Sequence, residues 1–171
     1  MKVAFIGLGN MGASLAKAVA KEVAAKDLLL VNRSPQKVEE FIKQYGGTAS
    51  DPEQAFKEAE VIFLGVKPYQ ICPLLEEYQT VLSQRSNLLL VSMAAGLELD
   101  KMAGVVKNDR VGIIRIMPNT PVAIGQGLIS LSRSQSVTDQ QVAQVNQLLA
   151  GAGALYEIEE KLMDPATAVA G

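Results

Sequence analysis

Five dominantly apolar runs, at residues 3–6, 28–31, 61–66, 88–93 and 111–117, broken only by Ser92 and Arg115, alternate with segments of helical character. No feature of the sequence constrains the fold more. A strand with one wet face alternates apolar and polar residues, so runs without that alternation belong to strands covered on both faces. Their alternation with helices predicts a parallel sheet between two helical layers, wound through right-handed crossovers. Between the first two runs, Leu15, Val19 and Val23 recur at four-residue spacing with Ala16 and Ala20 beside them, one buried helix face. Ser34 and Pro35 read as the cap and first residue of a helix to about Tyr45, which Gly46 and Gly47 stop. Thr48-Ala49 is a short strand at best, and Asp51-Pro-Glu-Gln54 opens a short helix reaching Glu58. Pro73 is expected to open the next helix, through about Leu82, and residues 97–106 give another. Beyond Pro121 the alternation relaxes. Residues 127–131 read as a strand, Thr138-Asp-Gln-Gln141 as the capping box of a helix to Ala150, and residues 153–158 as an edge-like strand. The predicted fold class is α/β: a Rossmann-type doubly wound, mostly parallel sheet with helices on both faces and extra C-terminal strands.

Within that frame the first turn carries a pattern. The run at 3–6 leads straight into Gly7-Leu8-Gly9-Asn10-Met11-Gly12, and helix formers follow. Strand, glycines and helix in that order give G-x-G-x-x-G a mechanism. Gly7 turns the chain, Gly9 leaves the backbone open to a pyrophosphate, and Gly12 lets helix and strand pack closely. The first-turn N–H groups and the helix dipole then face the phosphates. At the end of the second strand, twenty residues past Gly12, stand Asn32, Arg33 and Ser34. An Asp or Glu there would bind an unphosphorylated ribose. A neutral residue followed by a guanidinium and a hydroxyl suits a 2′-phosphate, favouring NADP over NAD. The plainer alternative makes Arg33 a solvated surface residue and Ser34 only a helix cap.

The ends of the later strands are where open α/β sheets place ligands. They carry Val66-Lys67-Pro68, the small residues Ala94-Ala95-Gly96, and Asn119-Thr120 between two prolines. Small side chains would admit a nicotinamide ribose to the backbone, and the prolines would stiffen a loop with two hydrogen-bonding side chains. Lys67, Asn119 and Thr120 are the candidates nearest the reacting atoms. Lys67 also reads as an exposed lysine at a strand end.

Composition narrows the chemistry. The 171 residues hold no histidine, so the commonest acid–base group and metal ligand is missing. No metal site or carboxylate pair stands out, and the single Cys72 has no partner to activate it. Sixteen basic against eighteen acidic residues, with no basic block, give nucleic acid no electrostatic footprint. No apolar run approaches a membrane span. With one cysteine, a cytoplasmic protein is expected.

Phe5-Ile-Gly-Leu-Gly-Asn-Met-Gly12, Val66-Lys-Pro68, Ser92-Met-Ala-Ala-Gly96, Arg115-Ile-Met-Pro-Asn-Thr-Pro121 and Glu160-Lys-Leu-Met-Asp164 together resemble pyrroline-5-carboxylate reductases, in order and spacing, along essentially the whole chain. The resemblance implies reduction of the C=N bond of 1-pyrroline-5-carboxylate, a small imine, to L-proline with NADPH, or NADH in its place. It sets the glycine loop (Gly7, Leu8, Gly9, Asn10, Met11, Gly12) and Asn32, Arg33 and Ser34 around the cofactor phosphates. Val66, Lys67, Pro68, Ala94, Ala95, Gly96 and Asn119 fall around the nicotinamide riboside. In such reductases a following helical dimerisation domain holds much of the substrate and makes a homo-oligomer. Residues 1–158 are accordingly expected to be the dinucleotide-binding domain, and residues 159–171 to start the connection to that helical part. Asp164-Pro165 reads as the cap and first residue of a helix with little chain left to complete it. A β-hydroxyacid dehydrogenase or imine reductase domain shares the pattern, and a non-catalytic dinucleotide-binding module is the alternative from another class.

Overall fold

The computed structural model describes residues 1–163, apart from the side chain of Thr120. The expected helix from Asp164-Pro165 lies outside the described residues. The strands are β1 (Val3–Ile6), β2 (Leu28–Val31), β3 (Thr48–Ala49), β4 (Val61–Leu64), β5 (Leu88–Ser92), β6 (Val111–Pro118), β7 (Gly127–Arg133) and β8 (Gly153–Glu157). They form one sheet in the order β3-β2-β1-β4-β5-β6-β7-β8. Pairing is parallel from β3 to β6, antiparallel between β6 and β7, and parallel again between β7 and β8.

The apolar runs are explained by two cores, one per face. On one side Val3, Phe5, Leu28, Leu30 and Phe63 pack under α1 (Asn10–Val19), α2 (Pro35–Tyr45) and α7 (Asp139–Leu148). On the other, Ala4, Ile6, Ile62, Leu64, Leu88 and Leu90 pack under α3 (Pro52–Glu58), α4 (Pro68–Glu77), α5 (Gln79–Leu82) and α6 (Leu99–Val106). Successive strand residues point to opposite faces, so both halves of each run are buried. Phe5 and Phe63, register partners on β1 and β4, stack with ring centroids 4.5 Å apart at the centre of the first core.

Several boundaries differ from expectation. α4 begins at Pro68, not Pro73, which lies inside it. Pro68 suits the first helical position, and the Gln70 amide oxygen accepts the Lys67 N–H at 3.0 Å. Pro73 then removes one interior donor, and the expected single helix to Leu82 becomes two, broken at Tyr78. β4 stops at Leu64, because Gly65 and Val66 turn toward α4. α1 ends at Val19, so Val23 packs against the core from beyond the helix. β7 extends past residue 131 to Arg133, which pairs with Ile114 of β6. The Thr138–Gln141 capping box forms in both directions, at 2.9 and 3.1 Å. Asp51 accepts the Gln54 N–H at 2.8 Å, but the Gln54 side chain turns to the Ser50 hydroxyl instead of closing the box.

One charge sits inside the sheet. Arg115 of β6 is 1% exposed, between its register partners Ser92 and Ser132. Its guanidinium meets the Glu160 carboxylate at 3.1 Å, and the same carboxylate oxygen accepts the Leu99 N–H at 2.7 Å. The 3-10 turn Glu160–Leu162 is thereby tied back to β6 and to the start of α6.

Candidate functional site

The strand order reverses between β1 and β4: the chain steps outward through β2 and β3, then returns to the other side of β1. Such a switch point opens a crevice beyond the carboxyl ends of the strands. Three glycines make it here. Gly7 has φ +101°, a left-handed value that an L side chain resists, and a Cβ there would lie 2.5 Å from the Gly65 carbonyl carbon. A Cβ on Gly12 would sit 2.5 Å from the Gly7 oxygen, and one on Gly65 2.7 Å from it. The ends of β1 and β4 and the start of α1 therefore touch backbone to backbone. Gly9 is different, since a Cβ there would meet nothing within 4 Å. It caps α1 in extended geometry, and the first turn of α1 carries no acidic residue. The unpaired N–H groups of that turn and its dipole are left facing open space with no charge to offset them, an arrangement suited to an anion.

The cleft above this loop encloses about 1200 Å³. Its walls include Gly7, Gly9, Asn10, Met11 and Gly12 from the loop, Asn32 and Arg33 from the end of β2, Val66, Lys67 and Pro68 from the end of β4, and Ala94 and Ala95 from the end of β5. Twelve of the residues singled out in the sequence are thus brought to one place. The charged side chains on its walls are Arg33, Lys37, Lys67 and Glu77. A chain of net charge −2 gathers three cations against one carboxylate here.

The other singled-out residues lie elsewhere or act differently. Leu8 is buried in the core, and only its backbone N–H takes part, donating to the Asn32 Oδ1 at 2.9 Å. Asn32 also donates through Nδ2 to the Ser34 carbonyl at 3.3 Å. Its amide therefore clamps the glycine loop to the turn after β2. Ser34 stands at the cap position of α2 without a side-chain capping bond. Gly96 follows the cleft residue Ala95 in a turn with φ +76°. Asn119, past the end of β6, accepts the Leu128 N–H on its side-chain oxygen at 3.0 Å. Thr120 begins the 3-10 turn Thr120–Ile124.

Among the cleft residues not singled out in the sequence are Lys37, Gly65, Tyr69 and Gln70. Gly65 had a signal, being a lone glycine inside an apolar run, which often marks close backbone approach. Lys37 stands four residues past Arg33, in the first turn of the helix that Pro35 launches. Tyr69 and Gln70 line the cleft only because α4 starts at Pro68 and not at Pro73. Among the described residues no group of three or more His, Cys, Asp or Glu could hold a metal, and no helix is long and apolar enough to cross a membrane.

A doubly wound sheet with a glycine-packed, cation-rimmed cleft at its switch point defines the class: a Rossmann-type nucleotide-binding domain. Comparison with known proteins carries this to a family. The family described as NADP oxidoreductase, coenzyme F420-dependent, matches residues 2–96, more than half of the chain, and the chain belongs to it. It is 35% identical over 173 residues to a pyrroline-5-carboxylate reductase of Escherichia coli, an alignment spanning 99% of this chain and 63% of the relative. A solved pyrroline-5-carboxylate reductase of Coxiella burnetii superimposes with a TM-score of 0.91 at 26% identity, over 99% of this chain and 63% of that one. A pyrroline carboxylate reductase of Plasmodium falciparum, solved with NADP bound, gives 0.86 at 29% identity, over 100% of this chain and 62% of that one. The chain spans a little under two thirds of the length of these relatives.

Proposed function

We propose that this chain is the NADPH-binding part of a pyrroline-5-carboxylate reductase, with NADH as the weaker cofactor. One observation carries the reading: a single cleft gathers the Arg33 and Lys37 cations with the glycine loop, Val66 to Pro68 and Ala94-Ala95, which belong to three of the five segments on which the likeness to these reductases rests. The protein fits the group. Open space over Gly9 and an uncompensated helix start suit a pyrophosphate, and exposed cations on the adjoining wall suit a 2′-phosphate.

When bound, the dihydronicotinamide supplies a hydride to the imine carbon. The chain's own residues bind and orient. The α1 N-terminus and the loop backbone hold the pyrophosphate, and Asn32 keeps the loop in register by holding the Leu8 N–H. Arg33 and Lys37 hold the 2′-phosphate, while Ser34 sets the start of α2 behind them. Val66, Lys67, Pro68, Ala94, Ala95 and Gly96 would hold the nicotinamide riboside, with Asn119 and Thr120, past the end of β6, as the remaining candidates near the reacting atoms. Hydride addition to an imine also requires one proton on nitrogen. A cyclic imine that arrives protonated already carries it, so a chain without histidine is no obstacle and positioning supplies the rate.

Residues 1–158 form the dinucleotide-binding domain in this reading, and residues 159–171 begin the connection to a helical domain that holds the substrate carboxylate and makes a homo-oligomer. The cytoplasm is the proposed location. A chimaera tests the function: residues 1–163 of this chain replacing the matching part of the Escherichia coli reductase should bind NADPH and oxidise it when pyrroline-5-carboxylate is added. A folded chimaera that binds NADPH yet leaves it unoxidised would rule the assignment out.

A further inference from the structure

Four tyrosines occur in the chain, and three have side-chain partners in the fold. Tyr45 packs on Phe41 and carries the Lys17 ammonium over its face, Tyr78 stacks on Phe56, and the Tyr156 hydroxyl accepts a hydrogen bond from Ser130. Tyr69 has no ring contact and no side-chain hydrogen bond among the described residues. It is 73% exposed, and it is the one tyrosine on the wall of the cleft. An aromatic ring left bare at the mouth of a ligand cleft costs hydration free energy that a stacked planar group would recover.

Its place identifies the planar group. Tyr69 is the second residue of α4, one past Pro68, and shares its end of the cleft with Pro73 and Leu74 of the same helix. β2 and β4 flank β1 on opposite sides, so Arg33 and Lys37, past the end of β2, stand on the other side of the glycine loop from Tyr69; they are the cations that suit a phosphate on an adenosine ribose. With the pyrophosphate at Gly9 and the 2′-phosphate at Arg33, the base must leave its ribose away from the loop. The α4 wall there offers Tyr69, Pro73 and Leu74, with Gln70 and Glu77 beside them. We infer that Tyr69 is the stacking shelf for the adenine ring of the dinucleotide, a binding contact that rests on the proposed NADPH reading and adds affinity without choosing between NADPH and NADH. A shelf that reads only the face of the base is blind to the 2′-phosphate. Discrimination therefore stays with Arg33 and Lys37, and overall affinity gains from Tyr69.

Calorimetric titration of the 171-residue chain with NADPH, NADH and adenosine 2′,5′-bisphosphate tests this. Tyr69→Ala should weaken all three by the same factor, roughly tenfold, and Tyr69→Phe should bind all three as the parent does. Since Tyr69 is largely exposed and makes no side-chain hydrogen bond or ring contact among the described residues, both variants should give the parent's circular dichroism spectrum. Unchanged affinities in Tyr69→Ala would overturn the shelf, and so would a loss confined to the two ligands with a 2′-phosphate. A Tyr69→Phe loss matching that of Tyr69→Ala would assign the contact to the hydroxyl and overturn stacking. If the parent bound none of the three ligands, the dinucleotide reading itself would fall, a result separate from any failure of Tyr69.

Discussion

Gly12 shows how much one missing carbon fixes. A Cβ there would lie 2.5 Å from a backbone oxygen that is itself held by the turn at Gly7, so no side chain can move aside to admit it. Gly12→Ala is expected to push α1 away from the β1–β4 junction, at a cost of about 1–3 kcal/mol in chemical denaturation. Dinucleotide binding should be lost with it, because the same shift misaligns the first-turn N–H groups. Gly9→Ala is the control: its Cβ enters open space, so stability should hold while binding falls. Equal stability for Gly12→Ala and the parent would show that the junction is looser than its geometry. These glycines were legible because their spacing has a mechanism. The role of Asn32 was not. Its residue type pointed to a ribose or phosphate, whereas its amide oxygen holds the Leu8 N–H, a contact across 24 positions that sequence spacing does not reveal.

Elements were legible where periodicity was strong and uncertain where prolines competed. Each of the apolar runs became a strand over most of its length because burial on both faces leaves no other consistent use for it. The start of α4 was misread because Pro68 and Pro73 both suit a first helical position, and only the Lys67–Gln70 contact decides between them. Some ends are secured by distant side chains that no local pattern shows. The Arg85 guanidinium donates to the carbonyls of Phe56 and Ala59, capping the last turn of α3 from beyond α5. Burial pushes its pKa below the ordinary arginine value, with Glu60 opposing. Arg85→Ala leaves two carbonyls without their charged donor and should cost about 2 kcal/mol of stability. Arg85→Lys keeps the charge but not the fork and should fall between. Urea denaturation of the three proteins checks the order, and a lysine variant no better than alanine would show that the fork and not the charge caps α3.

At the scale of the whole molecule, charge and stability are both tied to the cleft. The chain is net −2, yet three of the four charged side chains along the cleft are cations, so an anionic ligand meets a locally favourable field there. A ligand that binds only the folded state stabilises it by about 2.7 kcal/mol at one hundred times its Kd. For a domain of this size that is a rise in Tm of roughly 5–10 °C. NADPH should produce such a rise in the 171-residue chain, and NADH a smaller one at equal concentration. Arg33→Ala should bring the two together, weakening NADPH about tenfold while leaving NADH nearly as it was, because only NADPH carries the phosphate that Arg33 meets. Raising the salt should shrink the NADPH shift in the parent more than in Arg33→Ala, since the exposed guanidinium is the part of the attraction that ions screen. Equal losses for both cofactors in Arg33→Ala would remove that side chain from the choice between them and leave Lys37, on the same wall, as the cation that makes it.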